Sequence, residues 1–196
     1  VTQPRRIAII GPTGSGKTTL ARDLSRRLEI SFIELDALRW GPNWTPRDPE
    51  ELLALTRDEL AKAPDGWVVD GNYRQVRDLV FPRADTIIWL NYPLTFIYRQ
   101  LFARTIRRVA RKERLFNGNV ETWREQFLST DSLFRYAVRH KIRQRKAYPR
   151  LLADPEYAHA TKLVFRSPYH CGRWLERLSR SRRDEGRTQT SADQVT

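Results

Sequence analysis

An α/β fold, a three-layer sandwich around a five-stranded parallel sheet, is predicted by three observations. Five short apolar runs recur along the chain, amphipathic segments lie between them, and the first run leads through a glycine-rich stretch into a helical pattern. The 196 residues suffice for one sizeable core, so one domain is expected over residues 1–180.

Arg5–Gly11 is an apolar run ending in glycine, the pattern of a strand buried on both faces. Leu20, Leu24 and Leu28 follow at four-residue steps, one face of a helix. Ile30–Asp36 supplies a second strand. Asp48-Pro49-Glu50-Glu51 then reads as a helix start: an aspartate to cap, a proline for the first turn and a glutamate three residues on. Leu52, Leu53, Leu55 and Leu60 give that helix its apolar side, and Pro64-Asp65-Gly66 closes it with a turn. Trp67–Gly71, Asp85–Asn91 and Thr161–Ser167 are the third, fourth and fifth strands.

Residues 93–150 change character and become mostly helical and basic. Trp123, Phe127, Phe134, Val138 and Ile142 fall near one helical stripe, interleaved with arginines, and Asn117-Gly118-Asn119 marks a break. A helical lid inserted at about 105–150 is expected here. The polar segment 181–196 lacks apolar periodicity and is expected to be disordered.

The formal charge is +13, from 36 Lys and Arg against 23 Asp and Glu. Arginine's planar fork matches phosphate oxygens, so this excess suits a polyphosphate cleft or a nucleic-acid surface. The single cysteine excludes an intramolecular disulfide and a cysteine-rich zinc site. No apolar run is long enough to span a bilayer, and Val1–Arg6 carries no signal-type apolar core, so a soluble, cytoplasmic protein without membrane partners is expected.

Gly11-Pro12-Thr13-Gly14-Ser15-Gly16-Lys17-Thr18 matches G-x-x-x-x-G-K-[ST] in full, between a strand and a helix. Its glycines let backbone N–H groups converge on phosphate oxygens, and the helix N-terminus favours negative charge. Lys17 is expected to reach the β- and γ-phosphates of ATP and Thr18 to serve Mg²⁺, with Ser15 and Thr19 as further phosphate contacts. Asp70 ends the third strand, at the sheet edge where α/β proteins bind ligands, and an aspartate there can hold the water shell of the metal. As half of an Asp-Gly pair it is equally a turn residue.

Asp36, after the second strand, either binds a phosphoryl acceptor and takes its hydroxyl proton or orders the following loop. Trp40 and Trp44 flank a Gly-Pro-Asn turn and offer two rings to sandwich a flat acceptor, or simply pack. Arg99, Arg104, Arg107, Arg108, Arg111 and Arg114 follow the fourth strand. An arginine brought in by a lid would stabilise charge on a transferring phosphoryl group, and Arg99 and Arg104 are the candidates. A solvated basic face is the other reading.

With the glycine-rich loop, Asp70-Gly71-Asn72-Tyr73-Arg74 and a basic helical segment in that order, the chain resembles the nucleotide and shikimate kinase group of P-loop proteins. Asp70-Gly71-x-x-Arg74 is similar to the Asp-Gly-Phe-Pro-Arg stretch of adenylate kinases, which implies a nucleoside-monophosphate-kinase-like fold, Mg²⁺ organised by Asp70 and acceptor contact by Arg74. From about Arg5 to Leu178 the chain also looks like the adenylate-kinase-related family labelled DNA topology modulation proteins, through Leu35-Asp36, Trp40, Pro42-Asn43-Trp44, Trp67–Tyr73, Ile87–Leu90 and Arg99. It departs from adenylate kinases in lacking a Thr-Gly-Asp-x-Leu-Arg stretch, with the tryptophan loop in that region, so an acceptor other than AMP is expected.

Two functions follow as expectations. One is an ATP- and Mg²⁺-dependent phosphotransferase acting on a small acceptor held by Asp36, Trp40, Trp44 and Arg74. The other is a nucleic-acid-associated ATPase or regulatory nucleotide-binding protein, its basic face from Arg104 to Arg150 on a phosphate backbone and its binding steeply salt-dependent.

Overall fold

The computed structural model describes residues 3–110 and 133–193. Five strands, β1 (Arg6–Ile10), β2 (Ser31–Glu34), β3 (Trp67–Asp70), β4 (Thr86–Leu90) and β5 (Thr161–Phe165), form one sheet in the order β2-β3-β1-β4-β5. Every pairing is parallel. The three-layer α/β fold read from the sequence is the fold observed.

Each inner strand serves two cores, which is why it reads as an unbroken apolar run. Ala8, Ile10, Val69, Ile87 and Trp89 face one side, under α3 (Pro49–Ala61), the short α4 (Arg77–Val80) and α6 (Leu133–Leu152). Ile7, Ile9, Val68, Ile88 and Leu90 face the other, under α1 (Lys17–Leu28), α5 (Leu94–Ala110) and α7 (Pro168–Asp193). Leu24, Leu52, Ile97 and Leu101 are fully buried in these layers, each contributing roughly 1.5–3 kcal/mol by leaving water.

Local sequence explains most element ends. Asp48 caps α3 through its Oδ1, which accepts the Glu51 N–H at 2.8 Å. The reciprocal half of a capping box is absent, because the Glu51 carboxylate pairs with Arg47 at 2.8 Å instead. Gly66 turns the chain into β3 with φ 132°, a conformation that glycine tolerates best.

The structure departs from the sequence reading in β2, in α7 and in the buried face of α6. The second strand stops at Glu34, and Leu35–Arg39 forms a short helix, α2. Leu35 is buried against Gly71, so its apolar character extends the strand pattern one residue too far. The backbone of α7 stays helical to Asp193, through most of the segment expected to be a tail. That segment contains no proline, and its arginines and glutamines continue a helix readily. Within α6, Ile142 is 55% exposed, while Lys141, Gln144, Tyr148 and Leu152 face inward. The expected lid at 105–150 is bracketed by α5 and α6. Arg111, Arg114, Trp123 and Phe127 lie outside the described residues.

Candidate active site

At the carboxyl edge of the sheet, the loop between β1 and α1 is shaped for a phosphate group. Gly11, Gly14 and Gly16 take φ values of 155°, 76° and 87°. A Cβ on Gly14 would stand 2.5 Å from Leu101 Cγ, so α5 packs directly against the loop. A Cβ on Gly16 would meet nothing within 4 Å and would project into open space. Gly16 is also the cap of α1, with no side-chain cap and no acid in the first turn. The N–H groups of that turn therefore lack intrahelical acceptors and favour an anion.

The side chains agree. Ser15 is 1% exposed, with an Oγ that makes no hydrogen bond. Lys17 Nζ donates to the Pro12 carbonyl at 3.2 Å, leaving donors for a phosphate. Thr19, in contrast, is exposed on the outer side of α1.

Asp70 lies where its strand position requires, beside the loop: it pairs with Ile9 in β1 and with Glu34 in β2. Its Oδ2 accepts the Thr18 hydroxyl at 2.5 Å, and its Oδ1 is buried without a partner. Burial raises its pKa, outweighing the pull of Lys17 and the Thr18 bond. A carboxylate in this state gains from a cation. The donors, the Thr18 hydroxyl and the Asp70 carboxylate, are hard oxygens. That fits a hydrated Mg²⁺ held largely by water and substrate phosphates.

The side chains expected to hold the acceptor gather at the same edge, over the face covered by α3 and α6. The Tyr73 hydroxyl donates to Asp36 Oδ1 at 2.7 Å. This pair depends on Gly71, where a Cβ would come within 2.7 Å of Leu35 and push α2 away. Arg74 is exposed beside Tyr73. Trp40 and Trp44 are half-buried and meet edge to face, centroids 5.9 Å apart and planes at 80°. The two rings pack on each other. The turn is strained, with φ 54° at both Asn43 and Trp44, a conformation unusual for a bulky residue.

The two lid arginines separate. Ile97 and Leu101 of α5 face the loop, and the half-buried Arg104 stands one turn further along the same face. Arg99 is exposed, rotated roughly 200° from both at 100° per residue, so it points away from the loop.

Three features escaped the sequence reading. Glu34 is held by Arg22 at 3.1 Å, and burial, aided by Asp70 and Asp36, raises its pKa despite the guanidinium. Tyr73 could have been noticed only as part of Asp70–Arg74. Lys141 had no sequence signal at all, since it sits in a basic run. It is 5% exposed and donates to Asn91 Oδ1. Tyr148, two turns along α6, packs edge-on against Trp89 at 5.4 Å. Asn91, two residues after Trp89, therefore lies on the α6 side of the sheet, next to Leu90, whose carbonyl closes on Gly11. Burial, with Arg145 nearby, pushes the Lys141 pKa down to about 8. Among the described residues no carboxylate pairs with it.

The fold is a five-stranded parallel sheet between helical layers, with a P-loop joining β1 to α1, an architecture that the chain shares with several solved kinase structures. Residues 7–79 match the family model described as ATPase family associated with various cellular activities (AAA). Over the whole fold the chain is similar to a shikimate kinase from Bacteroides thetaiotaomicron, with 17% identity, 90% of this chain and 97% of that one covered, and a TM-score of 0.51. A gluconokinase from Sinorhizobium meliloti 1021 aligns comparably, with 17% identity, 92% and 90% coverage and a TM-score of 0.50. Sequence relatives match only a part. A bifunctional pantoate ligase/cytidylate kinase of Gloeobacter violaceus is 45% identical over 68 residues, 31% of this chain and 13% of that protein. The ATP-dependent protease ATPase subunit HslU of Methylorubrum extorquens is 36% identical over 69 residues, 31% of this chain and 16% of that protein. The chain thus spans less than a fifth of the length of these relatives. Among the described residues no helix is long and apolar enough to cross a membrane.

Proposed function

We propose that the protein is a phosphotransferase that moves the γ-phosphoryl group of Mg-ATP to a hydroxyl of a small acceptor. The observation that carries this reading is that the phosphate cradle and the Asp36–Tyr73 pair lie at one sheet edge, with Asp70 between them in register with Ile9 and Glu34.

In this reading the backbone of Gly11–Thr18 holds the β- and γ-phosphates, and Lys17 follows the charge as the γ-phosphoryl leaves. Thr18 directly, and Asp70 through water, hold Mg²⁺, which neutralises phosphate charge when bound. The acceptor occupies the space beside Asp36, Trp40, Trp44 and Arg74. Tyr73 fixes one oxygen of Asp36, leaving the other to receive the acceptor's hydroxyl proton as its oxygen forms the new P–O bond. The bond between the γ-phosphorus and the bridging oxygen breaks, and ADP departs. Arg104 and Lys141 supply positive charge on the far side of the cradle, and the post-β4 helices exclude water that would otherwise compete.

Four features support a kinase rather than a simple hydrolase: the fold likeness over nine-tenths of the chain, the Asp36–Tyr73 pair, the placement of Arg74, and the kinase-like order of the motifs. The resemblance to DNA topology modulation proteins belongs to the same reading, and the AAA match covers the nucleotide half that kinases and hydrolases share.

The test is an acceptor screen with γ-labelled ATP, comparing wild type with Lys17→Ala and Asp36→Asn. Label should pass to a small molecule with wild type only. Release of inorganic phosphate at one rate with and without every acceptor, unchanged by Asp36→Asn, would assign a hydrolase. Salt-sensitive stimulation of that release by DNA or RNA would assign the nucleic-acid-associated reading.

A further inference from the structure

The opposite edge of the sheet, where the strands begin, carries a groove that phosphoryl transfer does not use. Two adjoining cavities, of about 620 and 310 Å³, share Arg6, Pro64 and Arg83. Arg57 at the end of α3 lines one, and His159 before β5 lines the other. Their walls hold four guanidinium groups (Arg5, Arg6, Arg57 and Arg83) against two carboxylates, Asp65 and Asp85.

The acids do not neutralise these arginines. Asp85 is turned inward, where its Oδ2 accepts the backbone N–H groups of both Arg5 and Arg6 at 2.8 Å. Asp65 contributes its backbone carbonyl, which accepts Arg5 Nε at 2.9 Å. Arg83 Nη1 donates to the Leu79 carbonyl at 2.7 Å. Among the described residues, Arg6, Arg57 and Arg83 form no ion pair, whereas Arg22, Arg26, Arg27 and Arg47 each find a carboxylate within 3.8 Å. A groove of this size, walled by prolines and lined by unneutralised guanidinium forks, has the dimensions and the charge of a small-anion site.

We propose that this groove binds a small phosphate-bearing molecule, with Arg6 and Arg83 forking its phosphates and Arg57 and His159 at the two ends. The five residues of β1, at about 3.3 Å each, set it roughly 17 Å from the cradle, so both sites can fill together.

Calorimetric titration with inorganic tripolyphosphate tests this. Wild type should bind two equivalents. Lys17→Ala should keep only the groove site, and Arg6→Gln/Arg83→Gln should keep only the cradle site, with ATP affinity unchanged. Groove binding should weaken at least tenfold in the double variant. The substituted side chains are exposed, and circular dichroism checks folding. Should the double variant not fold, Arg57→Gln alone must weaken groove binding. Filling of the groove by ATP in Lys17→Ala would place nucleotides within the ligand class, whereas filling by tripolyphosphate alone would restrict it to free polyphosphates. The proposal fails if Lys17→Ala abolishes all binding, if the arginine variants leave the second equivalent unchanged, or if that equivalent never saturates (an adventitious ion only). Binding of a DNA duplex that the Arg6→Gln/Arg83→Gln variant loses, where tripolyphosphate does not bind, would also overturn it.

Discussion

Gly14 and Gly16 are two residues apart in the same loop, yet alanine should damage them in different ways. Both have positive φ, so either substitution costs about 1–2 kcal/mol of backbone strain. At Gly14 the new methyl would also lie 2.5 Å from Leu101 Cγ and 2.9 Å from its Cδ2. Overpacking of that kind adds about 1–3 kcal/mol. Gly14→Ala should therefore lose about 2–5 kcal/mol in total and Gly16→Ala only about 1–2. For a chain of this length these losses correspond to falls in Tm of roughly 4–20 °C and 2–8 °C. Binding should rank the other way. The Gly16 methyl enters open space where a phosphate belongs, so Gly16→Ala should abolish the rise in Tm that ATP produces while leaving a folded protein. Thermal denaturation with and without Mg-ATP reads both quantities, and Leu101→Ala should cost less in the Gly14→Ala background than in wild type. If Gly16→Ala binds ATP as wild type does, the open space is not the phosphate cradle. If Gly14→Ala is no less stable than Gly16→Ala, the packing of α5 on the loop is refuted.

Other substitutions probe the remaining polar groups. Asp70→Asn keeps an oxygen for the Thr18 hydroxyl and removes a buried charge, so ligand-free stability should not fall, while Mg-ATP turnover should drop at least about 100-fold. Lys141 has a folded pKa of about 8 against an ordinary 10.5. The unfolded chain therefore binds the extra proton in that window, and stability gains a contribution as pH rises from about 8 to 10.5. Lys141→Met should remove that part of the slope in chemical denaturation run across the interval. Asn43→Gly should raise stability by about 0.5–1 kcal/mol, because glycine accepts φ 54° without strain. Denaturation midpoints would show this directly, and an unchanged midpoint would mean that Asn43 is not strained.

The donor half of the site was readable because its determinants are contiguous. Eight neighbouring residues set the backbone, and the strand and helix around them are fixed by apolar patterns that tolerate only one layering. Asp70 was readable for a related reason, since a carboxylate ending a buried strand can lie only at the sheet edge. The proposed acceptor half draws on pieces far apart in the chain, and local patterns misled there. Leu35 looks like a strand residue because it is buried, although the surface burying it belongs to Gly71 across the sheet. Two tryptophans four residues apart give no hint of whether their rings stand parallel or perpendicular. Lys141 is the extreme case. Nothing separates it from the lysines and arginines around it until Tyr148 seats against Trp89 and turns that stripe of α6 inward. The same packing that hides the residue from sequence reading strips it of water and seats its ammonium against Asn91 Oδ1. A desolvated ammonium beside the loop after β4 is stabilised by an anion, and the transferring phosphoryl group is the anion that the proposed reaction would bring there.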